Sequence, residues 1–309
     1  MRIVISLGLL LALSVYVVHG QQSTKAPDTL TYAGTRLTYP LVEGWIKEYK
    51  KANPGTVIKL HSKNDSQKSA DLNFLAYDLS NEKLKDGEQY VVVSNYAQLP
   101  ISNSANPLLT GWNKSGLTKQ EFKKLYFKTA DQPEEKPAHN TVTIYKRDRP
   151  VCATKTFASH YGSDPNDGKG LGVQGDDRTL LEAVLKDTHG VSYNNLGFIY
   201  DLKSRKLVPG ITVIPSDNNE NGKIDSEENI YGDLDQLIQQ LEGGSISNVT
   251  VDKVNIVFNK NTKPAVGEFI KWVQTSGQKF NHQYGFLTID TDSKILAQQK
   301  NNTITSKAK

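Results

Sequence analysis

Twelve residues, Asp217-Asn218-Asn219-Glu220-Asn221-Gly222-Lys223-Ile224-Asp225-Ser226-Glu227-Glu228, space their oxygen-bearing side chains as a loop closing around a hard cation would. Asp217, Asn219, Asn221 and Asp225 stand at positions 1, 3, 5 and 9 of the run. Lys223 at position 7 would offer its carbonyl, and Glu228 at position 12 both carboxylate oxygens. Gly222 at position 6 suits the sharp turn that such a loop needs, and Ile224 at position 8 can anchor it to a core. This is the spacing of an EF-hand calcium loop, so Ca2+ is the expected cofactor, in a structural role. Two Asn in place of Asp lower the charge and predict a weak site, suited to extracellular calcium at roughly millimolar levels.

Other chemistries find little footing. There is no Gly-x-Ser-x-Gly, no His-Glu-x-x-His and no Cys/His cluster, so a hydrolase is disfavoured and no enzymatic activity is expected. His61 and His160 lack a metal-type partner and are expected to be packed or solvated. The single Cys152 cannot form an internal disulfide, which leaves stability to core burial. Gly170-Leu171-Gly172-Val173-Gln174-Gly175 spells a dinucleotide fingerprint, but no clear strand precedes it and a lone match is weak. A glycine loop at a helix start can equally offer backbone N–H groups to an anion, whereas Asp176 and Asp177 there favour simple capping. Arg36, Arg147 and Arg149 fit either surface ion pairs or anion contacts.

The elements that would position these groups alternate. Leu30 to Tyr39 reads as a strand and turn, Pro40 to Tyr49 as an amphipathic helix with Leu41, Trp45, Ile46 and Tyr49 on one face, and Thr56 to Leu60 as a strand. Gln89–Ser94, Thr141–Tyr145, Asn195–Tyr200, Ile211–Ile214, Val254–Phe258 and Tyr284–Ile289 read as further strands. Helices are expected over Leu117–Phe127, opened by the Thr118/Glu121 capping box, and over Asp177–Leu185, Asp233–Leu241 and Lys263–Thr275. The alternation argues for α/β layers.

Arg2 followed by the uncharged run Ile3 to Val18 and Val18-His19-Gly20 reads as a signal peptide over residues 1–20, which implies export to a periplasm or beyond. No later segment is apolar enough to insert in a membrane, and residues 300–309 read as a frayed tail. A net charge of only +4 gives no reason to expect a nucleic-acid partner. Asn64, Asn113, Asn248 and Asn301 begin Asn-x-Ser/Thr sequons.

Several segments, in order, resemble the phosphate-binding protein of bacterial ABC transporters, within the type II periplasmic solute-binding protein superfamily. Ala33-Gly34-Thr35-Arg36-Leu37-Thr38-Tyr39-Pro40-Leu41, the Trp45 helix and Asn53 to Ile58 are similar to its first β–α–β unit. Ser69 to Leu72 is similar to the strand after its second loop, Gly168 to Val184 with Gly197 to Tyr200 to its glycine loop, helix and strand, and Lys260 to Leu287 to its closing helix and strand. The resemblance implies a two-lobed α/β fold with two hinge crossovers. Residues 28–103 plus 256–299 would form lobe 1, and 104–255, with the calcium loop, lobe 2. It also implies a small phosphate-like anionic solute in the interlobe cleft, an ABC permease partner and a monomer. The implied ligand residues are Thr35, Arg36, Thr38, Ser62, Ser66, Arg147, Arg149 and Thr154. The anion loops depart from the family's pattern: Leu37 stands where Thr is usual, His61 to Ser66 has no glycine, the turn after Arg147 has lost its small residues, and the Asp acceptor falls near Ala76, with Asp78 close by. Without glycine-rich turns to aim several N–H groups at one point, the cleft must take a different solute or rely on side chains. An alternative is a calcium-stabilised extracellular binding or adhesion module that keeps the fold but has lost anion transport.

Overall fold

Residues 28–62, 64–65, 69–129, 142–244, 246 and 248–289 are described by a computed structural model. The expected signal segment 1–20, Ser66, Asn301 and the tail 300–309 lie outside them. The chain opens with β1 (Asp28–Gly34), α1 (Tyr39–Ala52), β2 (Thr56–Leu60), β3 (Leu72–Leu75) and β4 (Glu88–Asn103). Next come α2 (Leu109–Ser115), α3 (Lys119–Tyr126), β5 (Thr143–Arg147), α4 (Cys152–His160), β6 (Leu171–Val173) and α5 (Asp177–Lys186). β7 (Gly190–Asn195), α6 (Leu196–Ile199), β8 (Ile211–Val213), α7 (Leu234–Glu242), β9 (Thr250–Asn259) and α8 (Pro264–Trp272) complete the order.

Local chemistry explains most of these limits. Pro40 lies in the first turn of α1, where its missing N–H costs nothing. The helix buries Leu41, Val42, Trp45 and Tyr49 on one face and stops before Asn53-Pro54-Gly55. Trp45 Nε1–H donates to the Gly277 carbonyl at 3.1 Å and to Asn281 Oδ1 at 3.2 Å, which ties the first helix to the last part of the described chain. At α3, Thr118 Oγ1 accepts from Glu121 N–H at 3.2 Å while Glu121 Oε2 accepts from Thr118 N–H at 2.8 Å.

The described strands form one nine-stranded sheet in the order β2-β1-β3-β9-β4-β7-β5-β6, with β8 also on β4. β1 runs parallel to β2 and β3, and β5 runs parallel to β6 and β7. These two parallel groups are joined through the antiparallel pair β4 and β9, whose register shifts between Val92 and Ser94. One core holds Leu30, Trp45, Phe74, Val91, Val93, Tyr96, Ile256 and Phe269. Two others hold Ala97, Leu99, Ile101, Val184 and Leu234, and Phe122, Tyr126, Phe157 and Tyr193. β4 thus passes from one core to the next between Tyr96 and Ala97, upstream of residue 103. No turn residue marks the passage. Pro100 sits between the end of the β9 pairing at Gln98 and the start of the β8 pairing at Ile101, where that side of the strand needs no donor.

Four readings of the sequence need correction. Asn195–Tyr200 is not a strand: β7 ends at Asn195 and Leu196–Ile199 turns as α6, because Gly197 is pressed against the Tyr284 carbonyl. Tyr284–Ile289 makes only one bridge, Leu287 to Asn95. Side-chain amides replace the ladder there: Asn281 Nδ2–H donates to the Leu287 carbonyl at 3.0 Å and Gln278 Oε1 accepts from Ile289 N–H at 3.0 Å. The stretch Gly168 to Gly175 holds β6 within it, parallel to β5. The helix expected through Thr275 gives way after Trp272 to a wider turn over Val273–Gly277.

Candidate functional site

Both parallel groups aim the carboxyl ends of their strands at the crossing between the lobes, the place where open α/β sheets take ligands. In lobe 1, β1 ends at Gly34, whose φ of +126° suits glycine and whose Cβ would collide with the Phe74 carbonyl. Thr35 N–H then donates to the Phe74 carbonyl at 2.8 Å, and a short 3-10 turn over Arg36–Thr38 leads into α1. Thr38 is fully buried and its Oγ1–H donates to the Thr35 carbonyl at 2.7 Å, so it braces the turn. Arg36 is exposed.

In lobe 2, β5 ends at Arg147. Its Nη2 donates to the Gly175 carbonyl, while Nε and Nη1 are buried with no hydrogen-bond partner among the described residues. Asp176 caps α5, accepting from Arg178 N–H at 3.1 Å and Thr179 N–H at 3.2 Å. Asp177 faces inward, and burial raises its carboxyl above the ordinary range against the opposing pull of Arg147. Tyr193, pushed up to about 12 by burial, donates to Thr154 Oγ1 at 3.3 Å and stacks on Phe157 with centroids 3.9 Å apart. Cys152 begins α4, and its Sγ meets Thr35 Oγ1 at 2.9 Å.

Thr35 thus meets the start of α4, whose first turn carries Thr154, while Arg147 reaches the loop before α5. Arg149 is exposed. Ser62 sits in a turn that already holds an internal carboxylate: its N–H donates to Asp65 Oδ2 at 2.6 Å, and Asp65 Oδ1 takes Lys59 Nζ at 2.8 Å. The Lys59 bond, followed by the Ser62 N–H, holds Asp65 below the usual carboxylate range. Asp78 is committed to Lys253 at 3.1 Å, and the Ala76 carbonyl to Tyr96 O–H at 2.9 Å. A groove of about 620 Å³ opens elsewhere, on lobe 1, lined by His61, Asp71, Asn73, Lys85 and Lys263. Ala33, Asn73 and Val257, which line it, alternate with the core residues Tyr32, Phe74 and Ile256, so it lies on the opposite face of the sheet from the first core. Sequence reasoning missed Asp177, read there as a cap, and the seat of Cys152; neither has a spacing that marks it.

The 217–228 loop is folded and clasped from outside. Asp217 and Glu228 are buried, at 2% and 4% exposure. Asp217 accepts from Asn221 N–H at 3.2 Å and Gly222 N–H at 2.8 Å; Glu228 accepts from Asn218 N–H at 2.6 Å and Asp225 N–H at 3.0 Å. Neither joins an ion pair among the described residues. Asp225 instead turns to Lys223 Nζ at 2.7 Å and to the Asn219 and Asn221 amides, and these bonds, Lys223 first, lower it to about 2. Accordingly, no three His, Cys, Asp or Glu side chains converge as a metal-holding group among the described residues. Gly222 has φ +77°. Ile224 N–H donates to the Lys114 carbonyl at 2.9 Å, and Leu117 exchanges bonds with Pro215 and Asp217 at 2.9 and 3.0 Å.

No protein-family model matches the chain, and no curated protein sequence is similar to it. Solved structures are. A "possible phosphate binding protein" from Planctomyces limnophilus is 12% identical at TM-score 0.53, over 91% of this chain and 99% of that one. A protein from Clostridium perfringens, solved with bound phosphate and assigned as a phosphate ABC transporter substrate-binding protein, is 13% identical at TM-score 0.60, over 85% of this chain and 100% of that one. An ABC-type phosphate transport receptor from Vibrio cholerae is 14% identical at TM-score 0.56, over 84% of this chain and 100% of that one. At these identities the likeness is one of fold. The chain has the two-lobed α/β fold of type II periplasmic binding proteins, with β4 and β9 as its two crossovers.

Proposed function

We propose that the chain is an exported solute-binding protein, without catalytic activity, that captures a small phosphate-like oxyanion between its lobes and delivers it to an ABC permease. The observation that carries this reading is Arg147: two of its guanidinium nitrogens are buried and, among the described residues, unpaired at the carboxyl end of β5. A buried donor without an acceptor is costly, and a guanidinium fork fits two oxygens of a tetrahedral anion. Thr35, which meets Cys152 at the α4 start, and Thr154, in the first turn of α4, are assigned to complete the shell. Arg36, Thr38, Arg149, Ser62 and Ser66 are not needed in it. The fold of the phosphate-binding neighbours supports the reading. Calorimetric titration of the protein with phosphate, sulfate and molybdate tests it. Saturable heat with one of them is expected; none with any, in folded protein, sinks it.

The same reading includes calcium in the 217–228 loop. Two buried carboxylates with no cationic partner among the described residues are unfavourable unless a cation joins them. Asp217, Asn219, Asn221, the Lys223 carbonyl, Asp225 and Glu228 would hold it, with Asp225 released from Lys223. One observation favours the alternative of an adhesion module: α4 of lobe 2 is packed into the lobe-1 core, where Ala153 is 3% exposed. Anion-independent but calcium-dependent capture of a defined partner would favour that alternative. For the domains, the reading keeps 28–103 with 256–299 as lobe 1 and 104–255 as lobe 2, with β4 shared between their cores.

A further inference from the structure

The lobes touch each other directly at α4. Ala153 belongs to the lobe-1 core although it comes from lobe 2, and Val151 and Cys152 pack against the same core. Cys152 Sγ meets Thr35 Oγ1 at 2.9 Å. Lys155 Nζ lies 3.5 Å from Glu82 Oε1 and 4.5 Å from the centre of the Tyr77 ring. Thr156 Oγ1–H donates to Asp252 Oδ2 at 2.7 Å. Asp252 is on a crossover strand, so that bond alone would survive opening. Thr35, Tyr77 and Glu82 belong to lobe 1 proper, and their contacts would not. All of these contacts are between protein atoms.

We infer that α4 is a latch: the lobes rest closed on each other in the absence of solute, and a solute reaches Arg147 only when Cys152–Lys155 lift from lobe 1. The apolar seat of Ala153 holds the latch, because exposed ion pairs such as Lys155–Glu82 contribute little. The consequence for the proposed oxyanion site rests on that reading, but the resting closure does not. Binding through a minor open state lowers apparent affinity by the fraction open and makes association saturate at the opening rate.

The test uses Thr35→Cys, which places a thiol opposite Cys152 within reach of a disulfide. The purified variant, free of phosphate, is treated with oxidised glutathione. Two thiols give up two electrons and two protons to form the bond, and the glutathione disulfide is reduced to two thiols. The latch predicts loss of both maleimide-reactive thiols in most molecules, with or without phosphate. Solution X-ray scattering of the unaltered protein is then expected to give the same radius of gyration with and without phosphate. Cross-linking that appears only with phosphate, or a radius that falls when phosphate is added, overturns the latch. The two proposals fail separately: a cross-link with no calorimetric heat for any anion keeps the latch and removes the oxyanion reading, while heat accompanied by contraction does the reverse.

Discussion

Asp177 and Arg147 show how burial sets the behaviour of single residues. Burial keeps the Asp177 carboxyl above its ordinary value of 3.8, so the folded state favours its neutral form. A raised carboxyl supports folding fully below the unfolded value, and that support is lost as pH rises through the folded value. Asp177→Asn is therefore expected to melt with the parent below about pH 4 and above it at pH 7, by thermal denaturation across that range. An unchanged difference at both pH values would mean that the side chain is solvated. Arg147→Ala should weaken oxyanion binding by about 100-fold or more, the loss of a charge-assisted pair, as read by calorimetry. Arg147 was legible in the sequence only through its resemblance to a family arginine. Asp177 was not, because Asp176 beside it carries the same capping chemistry and only the fold decides which of the two turns outward.

The 217–228 loop was the most legible element, since a twelve-residue spacing with glycine at its sixth place is a local constraint. Its clasp to the α2–α3 corner was not, because Lys114 and Leu117 lie about a hundred residues away. Chelator should lower the melting temperature of the parent and leave Asp217→Ala and Glu228→Ala unaffected; at calcium 100 times the dissociation constant, linkage gives about 2.7 kcal/mol. Identical melting with and without calcium would remove the metal from the account. Gly116 has φ +68°, and a Cβ there would lie 2.6 Å from Ile224 Cδ1 and 2.8 Å from Asp217 N. Gly116→Ala should cost about 1–3 kcal/mol by urea denaturation, the range for a strained, overpacked position. The capping box at Thr118 reads from sequence for the same local reason as the loop. The failures at Asn195–Tyr200 and Tyr284–Ile289 are short apolar runs whose conformation is set by distant partners, Gly197 against Tyr284 and the Asn281 and Gln278 amides.

The whole molecule is unified by β4 and β9. The α/β layering and the bilobal plan were visible from alternating elements and from the resemblance, whereas the strand expected over Gln89–Ser94 runs on past its register shift to the sixteen residues of β4. Because one strand supplies Val91 and Val93 to one core and Leu99 and Ile101 to another, the halves should lose structure together. Differential scanning calorimetry is expected to give one transition with matching calorimetric and van't Hoff enthalpies; two resolved peaks would show that the lobes melt independently. The strand order has a further consequence for synthesis. β9 lies between β3 and β4 in the sheet but is made long after both. The half of the molecule that leaves the ribosome first cannot complete its sheet until Thr250–Asn259 has followed it.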